Sequence, residues 1–227
     1  MLKKFNELPA DLQNDAVKKY YDMLSKKKAS LLLKRAFDIF VSFVLLMLIW
    51  PILLILAIII KLDSPGPVFF RQERVTQYGR RFRIFKFRTM VNNADKMGSL
   101  VTTKNDSRVT KVGSVIRKTR IDELPQLFNI FLGDMTLVGT RPEVVKYVER
   151  YTDEMKATLL LPAGVTSEAS ICYKDEEKLL ENAENADDTY VNEILPEKMK
   201  YNLQAIEKFS FISDIKTMFR TVIAVLK

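Results

Sequence analysis

From Ile39 to Ile60 the chain runs for 22 residues without a charge, IFVSFVLLMLIWPILLILAIII, and is apolar on every face of a helix. In a domain this small a core helix has nowhere to hide all of its sides, so the run predicts a membrane segment. A cleaved signal peptide does not fit, because the run is too long, follows a charged leader and lacks a small-residue cleavage site. Pro51 removes a backbone hydrogen bond and clashes with the preceding turn. It divides the run into arms of about 12 and about 10 residues, each reaching roughly half of a hydrocarbon core about 30 Å thick. Both flanks are basic, with Lys26, Lys27, Lys28, Lys34 and Arg35 before the run and Lys61, Arg71, Arg74, Arg80 and Arg81 after it. The positive-inside rule places both on the cytoplasmic side. A helix that enters, bends at Pro51 and returns fits both features; a kinked spanning helix is the alternative, since proline is tolerated there.

The remaining pattern is that of a charged body. Leu12, Ala16, Tyr20 and Met23 or Leu24 follow helical spacing and predict a helix from about Ala10 to Lys28. After the membrane run, Ser64-Pro65-Gly66-Pro67 breaks the chain, and VFFRQERV followed by RRFRIFKFRTM around Gly79 reads as a hairpin. Helices are expected from about Ile121, and over about Glu143–Leu160, Asp175–Glu184, Tyr190–Lys208 and Ile212–Leu226. The last carries Ile212, Ile215, Met218, Phe219, Val222, Ile223 and Leu226 along one side, a pattern that suits core packing or an interfacial helix. The predicted class is α+β, mainly α: a polar helical leader over 1–33, a re-entrant membrane helix over 34–62, and a cytosolic body over 63–227 with a small hairpin and amphipathic helices.

Composition narrows the chemistry. Within 227 residues there is no histidine and one cysteine, Cys172, so disulfides, zinc fingers, Cys/His pairs and Ser-His-Asp triads cannot be built within one chain. Cys172 reads as a small core residue. Seven glycines fall too far apart for a dinucleotide fingerprint or a Walker A loop. Phosphate handling would therefore fall to Arg, Lys and metal. The net charge of +8 is unevenly placed, at +4 over residues 1–60, +11 over 61–120 and −7 over 121–227. Such a basic block suits nucleic acid, anionic headgroups or a phosphorylated substrate.

The segment IRKTRIDELPQLFNIFLGDMTLVGTRPE holds the densest chemistry. Asp122 and Glu123 stand just before Leu124-Pro125, where a first helical turn favours anions, and Arg117, Lys118 and Arg120 precede them. One reading is an N-capping acid pair. The other is a site in which carboxylates bind a hard cation and supply a nucleophile while guanidinium groups clamp phosphoryl oxygens.

The order KRAFDIFVSFVLLMLIWPILLILAIIIKL, GPVFFRQERVTQYGRRFRIFKFRTM, IRKTRIDELPQLFNIFLGDMTLVGTRPE and SFISDIKTMFRTVIAVL, from about Lys34 to Lys227, resembles the bacterial sugar transferases, the monotopic phosphoglycosyl transferases that start glycan assembly. The resemblance implies transfer of a sugar-1-phosphate from a UDP-sugar to polyprenol (undecaprenyl) phosphate with release of UMP, initiating exopolysaccharide, capsule or glycoconjugate assembly. It further implies a requirement for Mg²⁺, no nucleic-acid partner, contact with membrane lipid, and a catalytic domain on the cytoplasmic face of the bacterial inner membrane. Whether copies of the chain associate as a homo-oligomer is left open. By motif position Asp122 is the nucleophile and a metal ligand, Glu123 its partner, and Arg117 the phosphate-binding arginine. Lys86 and Arg88 of FKFRTM, with Arg141 and Pro142 of GTRPE, are substrate-binding positions. Three departures stand out: Trp50 replaces the serine usual before the helix-breaking proline, Thr140 replaces the first proline of Pro-Arg-Pro, and the segment from Pro162 to Ala169 lacks the family's arginine. A membrane-tethered nucleic-acid binder and a non-catalytic adaptor are the rival classes; the first does not explain the acid pair, and the second predicts indifference to changes at Asp122.

Overall fold

Residues 2–94, 106–179 and 185–226 are described by the computed structural model. Helix α1 (Asp15–Ser25) opens the chain, with Asn14 capping it by accepting the Val17 amide at 2.9 Å. Val17, Tyr20 and Leu24 are buried with Leu12 in the largest core cluster, against Tyr147, Leu160, Tyr190, Met199 and Ile206. The leader thus packs into the body, and its predicted helix is shorter than expected, preceded by a 3-10 turn at Ala10–Leu12.

Helix α2 runs from Lys28 to Asp63, 36 residues that remain helical through Pro51. Its buried face is a stripe. Lys34, Asp38 and Ser42 form the polar half, and Leu53 and Ile60 lie in the apolar half. Spacings of four, seven and eleven keep these side chains on one side. The Lys34 ammonium donates to the Val138 carbonyl at 2.7 Å and to Asp214 at 2.6 Å; Asp38 accepts from Thr136 Oγ1 at 2.6 Å and the Leu137 amide at 3.1 Å. Farther along, Leu46 and Ile49 pack on Leu127, Ile130 and Met135, while Leu53 and Ile60 pack on Phe87 and Ile116. Both ends of α2 are therefore attached to the same body. Its other faces stay bare, with Phe40, Met47, Leu48, Trp50, Ile55, Ile58 and Leu62 exposed. Phe128, Phe131 and Leu132, with Phe131 against Phe43 of α2, and Ile212, Phe219, Val222 and Ile223 are exposed as well. A water-soluble surface would not carry an apolar area of that extent.

The expected hairpin forms in constant register but in two pieces. Strands β1 (Phe69–Phe70) and β4 (Lys86–Phe87) pair at its base, and β2 (Glu73–Val75) and β3 (Arg81–Arg83) pair towards Gly79. Between them the Phe85 amide leaves the ladder and bonds the Asn129 side chain at 2.8 Å. The helical segments that follow are α3 (Lys111–Lys118) and α4 (Gln126–Leu132); then strand β5 (Met135–Val138) pairs in parallel with β6 (Ala163–Thr166). This parallel pair was not expected. A Cβ on Gly164 would come within 2.1 Å of the Gly139 amide, so the crossing of these segments requires glycine.

The long helix expected over Glu143–Leu160 is instead α5 (Val145–Val148) and a 3-10 segment at Met155–Leu160. Tyr151 is drawn into the core, and Thr152 Oγ1 captures the Met155 amide at 3.3 Å, which starts a new turn rather than continuing the old one. Helix α6 (Glu168–Cys172) ends at an exposed Cys172, so the cysteine is not a core residue. The expected helix from Asp175 is α7 (Glu176–Leu179); residues 180–184 lie outside the described residues. After α8 (Ala186–Thr189), a π turn at Tyr190–Ile194 leads into α9 (Leu195–Glu207), and α10 (Phe211–Leu226) closes the chain.

Candidate active site

The dyad is presented by a forced reversal. Thr110 caps α3 by accepting the Gly113 amide at 3.0 Å, and the helix ends where Arg120 adopts φ +54°, a left-handed conformation that side chains with a Cβ rarely take. A 3-10 turn at Ile121–Glu123 follows, and α4 begins three residues on. The acids therefore sit on a tight connection just before a helix, close to the expected first turn.

The hairpin reaches this turn through β4. Asn129 of α4, fully buried, accepts the Phe85 amide and donates to the Arg83 carbonyl at 3.1 Å, which fixes the arm carrying Lys86. Lys86 Nζ then donates to Glu123 Oε1 at 2.7 Å, and Arg141 Nη2 donates to the same oxygen at 2.9 Å. Sequence reading gave no signal for Asn129, since a lone Asn on a helix has many roles.

The two adjacent acids live in opposite electrostatic states. Burial works to raise the pKa of Glu123, but Arg141 and Lys86 outweigh it and hold the carboxyl well below the ordinary range. Burial raises Asp122, with Glu123 adding to the rise and Lys86 and Arg117 opposing it. Burial lowers Lys86, which Glu123 counters, and Glu123 raises Arg141. Among the described residues no side chain hydrogen-bonds the Asp122 carboxylate. Glu123 is committed to two cations, and Asp122 keeps its lone pairs.

Of the residues expected here, Asp122, Glu123, Lys86 and Arg141 come together, and Arg117, on the last turn of α3, is close enough to act on Asp122. Pro142 is buried beside them, its carbonyl accepting from Arg74 Nη1 at 3.1 Å. Arg88 is placed elsewhere. Its guanidinium is buried at the end of α2, donating to Pro65 O at 2.8 Å, Ser64 O at 2.6 Å and Ser64 Oγ at 2.9 Å. A Cβ on Gly66, at φ +129°, would collide with it at 2.0 Å. Its observed work is to terminate α2. Arg88→Met should lower stability by about 2–3 kcal/mol by leaving these buried carbonyls unpaired, read as a drop in the melting temperature in detergent.

The basic block is partly spent inside the protein, since Arg80 pairs with Asp134 and Arg108 with Asp106 in addition to the contacts of Lys86 and Arg88. The family of bacterial sugar transferases matches residues 29–227. The chain belongs to the bacterial sugar transferase family. It is 38% identical over 197 residues to the UDP-N-acetylgalactosamine-undecaprenyl-phosphate N-acetylgalactosaminephosphotransferase of Aeromonas hydrophila, a match covering 86% of this chain and 44% of that protein. It is 39% identical over 196 residues to the UDP-glucose:undecaprenyl-phosphate glucose-1-phosphate transferase of Escherichia coli (strain K12), covering 84% and 39%. To the uncharacterized sugar transferase EpsL of Bacillus subtilis (strain 168) it is 34% identical over 196 residues, covering 86% and 88%. This sugar transferase thus spans about two fifths of the length of the first two relatives and most of the third.

The Arg141 pair with Glu123 leaves other donors of its planar fork for a phosphoryl group. Arg141→Lys keeps the charge and loses that geometry. The kcat/KM of the transferase should fall about tenfold or more, with the circular dichroism spectrum unchanged.

Proposed function

We propose that this sugar transferase moves a sugar-1-phosphate from a UDP-sugar to undecaprenyl phosphate through a covalent intermediate on Asp122, at the cytoplasmic face of the bacterial inner membrane. The observation that carries this reading is the division of labour in the dyad, one carboxylate fixed by two cations and its neighbour partly desolvated and, among the described residues, without a side-chain hydrogen bond. An oxygen of Asp122 attacks the phosphorus that bears the sugar, forming an O–P bond as the bond to the bridging oxygen breaks; UMP leaves with that electron pair. An oxygen of the lipid phosphate then attacks the same phosphorus and frees the carboxylate. Arg117 and Arg141 bind phosphoryl oxygens, and Lys86 with Arg141 keeps Glu123 ionised and turned from the reacting phosphorus.

Mg²⁺ fits the donor set. No cluster of three metal-ligating side chains occurs among the described residues, and Glu123 is occupied, so Asp122 would be the protein ligand, with phosphate oxygens and water completing the shell. When bound, the ion supplies neutralisation of the diphosphate.

The membrane placement rests on α2. A helix whose first turns bond β5 and α10, and whose last turn is capped by Arg88, has both ends on one body; this supports a re-entrant course, with residues 63–227 as the cytosolic catalytic portion. The bare faces of α2, α4 and α10 would then lie in lipid. In the test, the purified chain in nanodiscs is given a panel of UDP-sugars that includes UDP-glucose and UDP-N-acetylgalactosamine, with and without undecaprenyl phosphate. UMP release in ping-pong order, with a phosphosugar mass increment on the peptide holding Asp122, is the expected result. An obligatory ternary complex without any adduct would overturn it.

A further inference from the structure

Behind the Arg141 loop lies a second group of charges that the proposed chemistry does not use. Glu143, Tyr190 and Lys198 are buried there, with Glu176 half-buried at the edge. Tyr190 donates its hydroxyl to Glu143 Oε1 at 2.6 Å, and Lys198 Nζ donates to that hydroxyl at 3.0 Å and to Glu176 at 2.7 Å, standing 3.8 Å from Glu143. The backbone of the loop is fastened as well: the Val75 amide bonds the Glu143 carbonyl at 3.0 Å, and Arg74 bonds that of Pro142. Charges buried to this degree are costly unless each has a partner.

Glu143 stands two residues from Arg141 on one loop and lines the same pocket, with the buried Arg74 guanidinium also acting on Glu143. Arg141 hydrogen-bonds Glu123, and the charges of Glu143 and Glu176 act on it as well. Arg141 therefore has one carboxylate partner beside Asp122 and two further carboxylates behind it. We propose that Lys198 is a positioning residue that neutralises Glu143 and Glu176, and thereby leaves Glu123 as the partner that holds Arg141 at the reaction site. Tyr190 completes the device by occupying Glu143 Oε1. Coupling travels here through contacts that share a carboxylate, from α9 to the loop, rather than through any contact of Lys198 with substrate.

The inference rests on the proposed reading only for its kinetic arm. Lys198→Gln keeps a side chain able to bond Tyr190 and Glu176 while removing the charge. It should lower kcat for UMP release about tenfold, and the added change Glu176→Gln should restore much of that loss, because one competing carboxylate is gone. Lys198→Arg should retain activity. If Lys198→Gln is fully active, or if its loss deepens when Glu176→Gln is added, the proposal is wrong and the cluster is structural. Should the wild-type chain release no UMP, the functional reading fails and a structure of the Lys198→Gln variant decides the positioning alone. An Arg141 turned from Glu123 towards Glu143 or Glu176 supports it; a retained contact to Glu123 overturns it. The double variant serves in the same way where the single one does not fold, since Arg141 should then return to Glu123.

Discussion

Asp122→Asn should abolish UMP release and the covalent adduct together, while Glu123→Gln should leave a slow reaction that still labels Asp122. Asparagine keeps the shape of the side chain but replaces the nucleophilic carboxylate with a neutral, poorly nucleophilic amide, so the expected loss is about 10⁴-fold or more. Glutamine at 123 does something different. It removes the negative charge that gathers Lys86 and Arg141, leaving both cations attracted to Asp122 instead. The pH dependence separates the two roles. Because burial and Glu123 raise the pKa of Asp122, the acid limb of kcat/KM should lie above the ordinary carboxylate value of 3.8. With Glu123→Gln one raising influence is lost and Lys86 draws closer, so the limb should move to lower pH. A phosphosugar found on Glu123 would reverse the assignment.

The second large effect concerns topology. Single cysteines at positions 30 and 67, in a Cys172→Ser background, should react with a membrane-impermeant reagent from the same side of the bilayer; position 67 is exposed and spares Gly66, where a side chain would displace Arg88. The reason is geometric: Lys34 is bonded to β5 and α10, and the segment Ser64–Gly66 is held by Arg88 against the same body. A spanning helix would have to surrender one set. Loss of the Asp38 contacts to Thr136 and Leu137 would leave a carboxylate facing lipid, and re-pairing across the membrane is not available. Reaction from opposite sides would defeat the re-entrant course. Pro51→Leu should shift part of the population towards spanning, because it restores the backbone hydrogen bond that proline lacks.

Much of this was legible from local pattern. The apolar run, the hairpin around Gly79 and the last helix are each written in neighbouring residues, although α2 starts at Lys28, inside what was expected to be the polar leader, rather than at residue 34. The acids were legible because Asp122 and Glu123 sit in a motif, and Lys86 and Arg141 because each lies in another. What escaped depends on distant partners. The parallel pair of β5 and β6 is short and set by a glycine crossing, and no alternation in four residues signals it. Arg88 looked like Lys86 in sequence, two residues away in one basic stretch, yet it is directed to the end of α2 because Gly66 leaves room for a guanidinium there. The exposure of Cys172 follows from its place at the end of a five-residue helix, which composition cannot show.

The polar stripe on α2 also orders events in time. Asp38 and Thr136 lie 98 residues apart, and Lys34 and Asp214 lie 180 apart. A ribosome therefore delivers the apolar helix long before the groups that satisfy its charged first turns. During that interval the half beyond Ser42 can enter lipid, whereas Lys34 and Asp38 must remain hydrated, since each would be an unpaired charge in hydrocarbon. The final seat of the helix becomes available only when α10 has been made. Insertion of the apolar half can thus begin before the body is complete, whereas seating of Lys34 waits for Asp214, and α10 acts as the latch that ends the process.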